Sequence, residues 1–115
     1  MIMIIFDFAQ KRHFSINQTR DFELISETQN KVFLRSLTNQ TKWLIVDLAS
    51  KYKKAIAFTI RSSQSIQKIS TCEDDIITLT TRERDFSFQL YDSTMSKIFA
   101  HDSFENLKCE DRFLD

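Results

Sequence analysis

Short segments of the chain alternate apolar and polar side chains with a period of two, as a β-strand with one buried face does. Residues 21–26 and 31–37 both alternate in this way and predict a hairpin, in which we expect Asn30 to take the left-handed conformation at the turn. β-branched and aromatic residues predict further strands at residues 3–8, 55–60, 75–81 and 85–92. We expect the first of these to be largely buried, and the second, which is apolar on both faces, to lie at the centre of a sheet.

A longer pattern in residues 40–54 repeats apolar side chains every three or four positions and predicts the main helix of the protein. Thr38 or Asn39 would cap its first turn, and the lysines near its end would favour the negative end of the helix dipole. Its apolar stripe consists of Leu44, Ile45, Leu48, Ala49 and Tyr52. Shorter helices are predicted at residues 62–70, 94–100 and 103–109.

Together these elements predict a single α+β domain over residues 1–115. Its antiparallel sheet would have about five to six strands, with the main helix packed on one face and short helices at the C-terminal end. The chain contains no glycine and no proline, so other residues must make its turns. Around residues 83–85 we expect a hairpin connection of about three to five residues, because a loop built on a type I turn needs no glycine.

The absence of glycine also bears on function. Loops that cradle phosphates, dinucleotide-binding turns and nucleophile elbows all need glycine where the backbone is crowded. The cysteine and histidine spacings match no zinc-site pattern, so we expect no metal, no cofactor and no enzymatic activity. One alternative stays open, a small enzyme in which Cys72 or Cys109 acts together with the adjacent pair His101 and Asp102.

The two cysteines are too few for a disulfide framework, and we interpret them as reduced thiols of a cytoplasmic protein, with a single bridge between them as the alternative. The first eight residues are mostly apolar, but they lack the basic start and the cleavage site of a secretory signal. No segment approaches the ~20 apolar residues of a membrane span, so no membrane is expected among the partners.

Trp43 is the most informative single residue for binding. On a helical wheel of residues 40–54, Trp43 and Val46 lie nearly opposite the apolar stripe, beside Lys54. An exposed tryptophan is the kind of side chain that dominates protein interfaces. We therefore predict that Trp43, Val46, Lys42 and Lys54 contact a partner; the alternative is that another element of the fold covers this face.

The net charge of zero hides a split along the chain. Residues 1–70 carry 11 Lys/Arg against 5 Asp/Glu, and residues 71–115 carry 5 against 11. Such a split can mark an interaction surface, or folding can interleave the two halves and neutralise it. The basic half suggests nucleic-acid binding as an alternative function, through Lys11, Arg12, Arg35, Lys51 and Lys53. The opposite charges also suggest a homodimer.

The function that these features favour is a non-enzymatic protein-binding module. A compact, aromatic-rich chain without cofactor motifs or targeting signals is typical of a small inhibitor or immunity-type factor that acts on a larger protein. A composition rich in Ile, Lys, Asn and Phe indicates an AT-rich gene, as in a phage or another mobile element. Nucleic-acid binding is the first alternative, and the small Cys/His enzyme is the second.

Overall fold

The computed structural model describes residues 3–7, 11–49, 54–60, 65–91 and 108–114. These residues form ten β-strands in three antiparallel sheets. The only helical elements among them are two short 3₁₀ turns, at Asn17–Thr19 and Glu73–Asp75. The described part of the chain is therefore all-β, and the prediction of an α+β fold with a main helix was wrong.

The chain divides into two compact units, residues 1–61 and 62–115. Unit 1 contains a two-stranded sheet, β1–β2, and a four-stranded sheet in the order β3–β4–β5–β6. Its strands are β1 (Met3–Asp7), β2 (Arg12–Ile16), β3 (Phe22–Glu27), β4 (Lys31–Ser36), β5 (Lys42–Asp47) and β6 (Ala55–Thr59). Strand β6 lies at the edge of its sheet, so the prediction that residues 55–60 are central was wrong. The single domain predicted for the whole chain stays a prediction.

The predicted main helix is replaced by strand β5. The segment Lys42–Asp47 pairs with β4 on one side and with β6 on the other, and five of its six residues are buried. A short apolar run fits a strand buried on both faces as well as it fits part of a helix. Here the β-branched and aromatic side chains, Trp43, Ile45 and Val46, favour the strand.

Thr38 and Asn39, predicted to cap the helix, instead form the turn between β4 and β5. The hydroxyl of Ser36 accepts hydrogen bonds from the backbone amides of Thr38 and Asn39, at 3.2 and 3.1 Å. The side-chain oxygen of Asn39 accepts the amide of Thr41 at 3.1 Å. Short polar side chains bond nearby amides in turns as readily as at helix starts, so the same residue types suit both structures.

One face of the four-stranded sheet and the hairpin β1–β2 form the core of unit 1. The buried residues of this core are Ile16, Phe22, Val32, Leu34, Leu44 and Val46, and Met3, Ile5, Leu48 and Ala55 pack against them. The buried hydroxyl of Thr19 bonds to both strands of the hairpin. It accepts the amide of Met3 at 2.7 Å and donates to the carbonyl oxygen of Ile16 at 2.6 Å. The start of β1 is therefore held to the end of β2.

Unit 2 is a four-stranded sheet in the order β10–β7–β8–β9. Its strands are β7 (Lys68–Cys72), β8 (Ile76–Thr80), β9 (Asp85–Gln89) and β10 (Cys109–Phe113). Ile69, Ile77, Leu79 and Phe88 share one face by their register and are buried. The other face carries hydroxyl groups in one row, where Thr78 and Ser87 lie 3.0 Å apart and Ser70 donates to Asp111 at 2.6 Å.

The strands predicted at residues 75–81 and 85–92 are confirmed by β8 and β9, and the hairpin of residues 21–37 is confirmed by β3 and β4. The helix predicted at residues 62–70 was wrong where it is described, since β7 begins at Lys68. The helices predicted at residues 94–100 and 103–109 lie almost wholly outside the described residues. The exception is the end of the second helix, which was wrong because Cys109 begins β10.

The hairpins turn without glycine in two ways. Between β7 and β8, Asp74 and Asp75 take left-handed φ values of 62° and 58°, which aspartate tolerates better than most residues. Between β8 and β9, the hydroxyl of Thr81 accepts the amide of Arg84 at 3.2 Å and donates to its carbonyl at 2.8 Å. The expected connection of three to five residues is confirmed there, with four residues between the strands. Asn30 has no positive φ, so its predicted left-handed conformation was wrong.

Candidate protein-binding surface

The outer face of the hairpin β1–β2 exposes large apolar side chains. Ile4 is 53% exposed and Phe6 is 64% exposed. They are two positions apart in β1 and therefore lie on the same face of the strand. In register they lie opposite Ser15 and His13 of β2. We call these four residues the outer hairpin face. The ring of Phe6 is tilted against the ring of His13, with 6.0 Å between the centroids.

Strand β1 is unusual for a strand at a protein surface because it is apolar on both faces. Met3 and Ile5 point inward and pack against the core of unit 1, while Ile4 and Phe6 point outward. A solvated strand face normally carries polar residues, so an outward isoleucine and phenylalanine have a cost in water that a partner could remove. The prediction that residues 3–8 are largely buried was wrong for this outer face.

The four residues predicted to bind a partner do not share one face of the structure. Trp43 and Val46 differ by three positions along β5 and therefore point to opposite sides of the sheet, and both are buried. The ring of Trp43 stacks on Phe58 at 6.1 Å. The helical wheel that motivated this prediction does not hold for a strand. A partner-binding role for these residues stays a prediction without that support.

The two lysines of this predicted set are exposed, at opposite ends of β5. Lys42 begins the strand, with its ammonium group 5.9 Å from the ring centroid of Phe22. Lys54 lies near the other end, where its carbonyl oxygen accepts the amide of Asp47 at 2.8 Å. These lysines are therefore not neighbours on one surface of unit 1.

The residues predicted for nucleic-acid binding are also dispersed. Arg35 donates to Glu23 at 3.3 Å and lies 5.7 Å from the ring centroid of Trp43, so its charge already has a carboxylate and an aromatic partner. Lys11 is exposed beside β2, the strand that contains Arg12. Lys51 and Lys53 lie outside the described residues.

A buried ion pair, which sequence analysis did not identify, lies at the start of β4. Lys31 and Asp47 are directly opposite each other in the register, with 3.4 Å between the ammonium nitrogen and a carboxylate oxygen. Both side chains are at least 95% removed from solvent. The carboxylate of Asp47 also accepts the amide of Ala49 at 3.0 Å. Burial and a close opposite charge indicate a structural pair rather than a binding site.

Cys72 and Cys109 form a disulfide between β7 and β10. They are directly opposite each other in the register, with 4.0 Å between their Cα atoms. The interpretation of both residues as reduced thiols was therefore wrong for this structure, and the alternative of a single bridge holds. While the bond is intact, neither sulfur can act as the thiolate that a Cys/His enzyme requires.

The charge split follows the division into two units. Residues 1–61 carry ten Lys/Arg and five Asp/Glu, a net charge of +5, and residues 62–115 carry six and eleven, a net charge of −5. The expected neutralisation by interleaved halves does not take place within either unit. Each unit therefore has a net charge of its own.

No family model, curated protein or solved structure matches this chain. Among the residues that the structure describes, there is no helix with the length and apolar character that crossing a membrane requires.

Proposed function

We propose that the protein is a non-enzymatic protein-binding module that binds a larger protein through the outer hairpin face. The observation that supports this proposal most directly is the exposure of Ile4 and Phe6 on a strand whose opposite face is packed into a core. Partly exposed aromatic side chains on a rigid element are the usual anchors of protein interfaces. The anchoring of β1 through Thr19 holds these side chains in place before a partner arrives.

We propose further that the module is a small inhibitor or immunity-type factor of a phage or another mobile element, acting in the cytoplasm. The net charge of +5 on unit 1 favours a partner with an acidic rim around an apolar pocket. The AT-rich composition supports the mobile-element origin, and the lack of glycine-dependent phosphate loops supports a non-catalytic role.

The experiment compares the protein with Phe6→Ser and with a matched control, Leu37→Ser. Leu37 is 61% exposed in the same unit but follows β4 and does not belong to the hairpin β1–β2. The tagged full chain captures its partner from the native host, and binding is then measured with the purified partner. We expect Phe6→Ser to weaken binding by roughly 30-fold, which corresponds to about 2 kcal/mol, and Leu37→Ser to change it less than about threefold.

Equal affinity of the two variants and the original chain would contradict the proposal. Circular dichroism of both variants checks that the fold is retained, since neither side chain is in the core. The alternative function, nucleic-acid binding, is tested on the same samples with a labelled DNA and a labelled RNA. That alternative requires binding that weakens steeply as salt increases.

A further inference from the structure

Strand β10 is attached to unit 2 with little hydrophobic burial. Four of its five residues are exposed, and Phe113 is 78% exposed. The strand is held by its backbone ladder with β7, by the hydrogen bond from Ser70 to Asp111, and by the disulfide. Buried apolar area normally provides most of the stability of an edge strand, and β10 has little of it, so its attachment depends on the ladder, on polar contacts and on the disulfide.

Strand β7, which pairs with β10, is mostly buried. Ile69 is fully buried, and Ser70 and Cys72 are 8% exposed. If β10 left, the backbone amides and carbonyls that now pair with it would form an open sheet edge beside a buried apolar face. Open edges of this kind pair readily with another strand.

The disulfide can be opened from the outside because Cys109 is exposed while Cys72 is buried. A cellular dithiol reductant supplies both electrons. Its thiolate attacks the Cys109 sulfur, a mixed disulfide forms, and Cys72 leaves as a thiolate. The second thiol of the reductant then attacks the mixed disulfide and releases Cys109. The reductant becomes a disulfide, and both protein cysteines become thiols. Cytosolic disulfides are usually transient for this reason.

The strand that fits the opened edge is a second β10. Two contacts between β7 and β10 depend on the side chains of β10. The carboxylate of Asp111 accepts a hydrogen bond from the hydroxyl of Ser70 at 2.6 Å, and the ring centroid of Phe113 lies 5.8 Å from the ammonium group of Lys68. The backbone amide of Leu114 also donates to the backbone carbonyl oxygen of Gln67, next to the start of β7, at 2.8 Å. Every copy of the chain carries the same strand, so a second copy can provide all of these contacts in trans.

We propose that the Cys72–Cys109 disulfide is a redox lock on strand exchange. When it is oxidised, β10 stays on its own β7; when it is reduced, β10 leaves and pairs with β7 of a second copy, so that the protein dimerises. This dimer does not involve the outer hairpin face, and its test is independent of the partner proposed above.

Hydrogen exchange on the full chain, oxidised and reduced, tests the release of β10. At a protein concentration low enough to keep the reduced chain monomeric, we expect exchange at the backbone amides of β10 to become roughly tenfold faster or more on reduction, while β8 stays protected. At high concentration, where β10 pairs in trans, the exchange should slow again. Unchanged protection of β10 at the low concentration would overturn the proposal. Loss of protection in β8 as well would also overturn it, because reduction would then unfold the whole unit instead of releasing one strand.

Two single variants test the exchange itself. Cys72→Ser retains only Cys109, and Cys109→Ser retains only Cys72, so neither can close its own bridge. The two are mixed in equal amounts and oxidised, and the linked pairs are counted by mass spectrometry. We expect bonds between Cys72 of one copy and Cys109 of the other to exceed clearly the half that random pairing produces. A random distribution, or a reduced protein that stays monomeric in sedimentation at high concentration, would overturn the proposal.

Discussion

Replacing Trp43 with alanine distinguishes a core residue from an exposed anchor. In the structure Trp43 is 2% exposed, stacks on Phe58 with 6.1 Å between the ring centroids, and lies 5.7 Å from the guanidinium group of Arg35. The alanine variant loses both of these contacts and the buried apolar area, and it leaves a cavity near the start of β5. Trp43→Phe is the matched variant, because it retains an aromatic ring beside Phe58.

The expected size follows from the burial. Burying a large aromatic side chain removes roughly 150–250 Å² from water, which at about 25 cal/mol per Å² amounts to about 4–6 kcal/mol. This is an upper value, since the unfolded chain already hides part of that area. Buried tryptophan-to-alanine changes cost about 3–5 kcal/mol, so we expect a loss of about 4 kcal/mol for Trp43→Ala and about 1 kcal/mol for Trp43→Phe.

Urea unfolding followed by far-ultraviolet circular dichroism measures both losses. With a denaturant slope of about 1.5 kcal/mol per M, the midpoint of Trp43→Ala should fall by roughly 2–3 M. Trp43 is the only tryptophan, so the emission of the original chain should be blue-shifted and insensitive to an aqueous quencher. A loss below about 1 kcal/mol, the size typical of surface changes, together with quenchable emission, would refute the burial of this side chain.

Two further predictions concern single contacts. Lys31→Met should destabilise unit 1 by about 3–5 kcal/mol, because it removes the ammonium group that lies 3.4 Å from the buried carboxylate of Asp47. The double change Lys31→Met/Asp47→Leu should be close to neutral. Urea titrations of the original chain and of both variants check this, and equal losses of unfolding free energy in the two variants would contradict it. Thr81→Val should cost about 1–2 kcal/mol of stability, because the turn to β9 loses the hydroxyl that bonds the amide and the carbonyl of Arg84. Thr81→Ser retains the hydroxyl and should cost much less. Equal losses of stability in the two variants, measured by urea unfolding, would show that the hydroxyl does not close the turn.

The sequence pattern, which combines alternation of apolar and polar residues with β-branched and aromatic composition, was sufficient to predict most of the strands. It identified β1, β3, β4, β6, β8 and β9, because each has a β-rich composition and a recognisable border. It failed at β5, where the stretch Trp43–Val46 is apolar at every position. There the strand and helix periods give the same pattern, and the polar residues before it suit a turn as well as a helix start. Tertiary pairing with β4 and β6 decides between the two.

The candidate binding surface was harder to predict for a different reason. The apolar character of Ile4 and Phe6 is visible in the sequence, but an apolar strand is more often buried on both faces than exposed on one. Only the packing of the hairpin shows that Met3 and Ile5 lie against the core of unit 1, whereas Ile4 and Phe6 are exposed. Likewise, no local pattern connects Cys72 with Cys109, since they are 37 residues apart and meet through the return of β10 to β7.

The strand order has a consequence for how the chain reaches this structure. Apart from the pairing of β7 with β10, every pairing in the two large sheets joins strands that are neighbours along the sequence. Pairing of this local kind forms on the microsecond timescale as hairpins, so these pairs need only a short search along the chain. Residues 1–115 also contain no peptide bond to proline, so the isomerisation that delays many proteins by tens of seconds has no site here. The pairing of β10 with β7 joins the two paired strands of unit 2 that are farthest apart in the sequence, with Cys72 and Cys109 37 residues apart, and should therefore be its last and slowest step, after β7, β8 and β9 have formed their sheet.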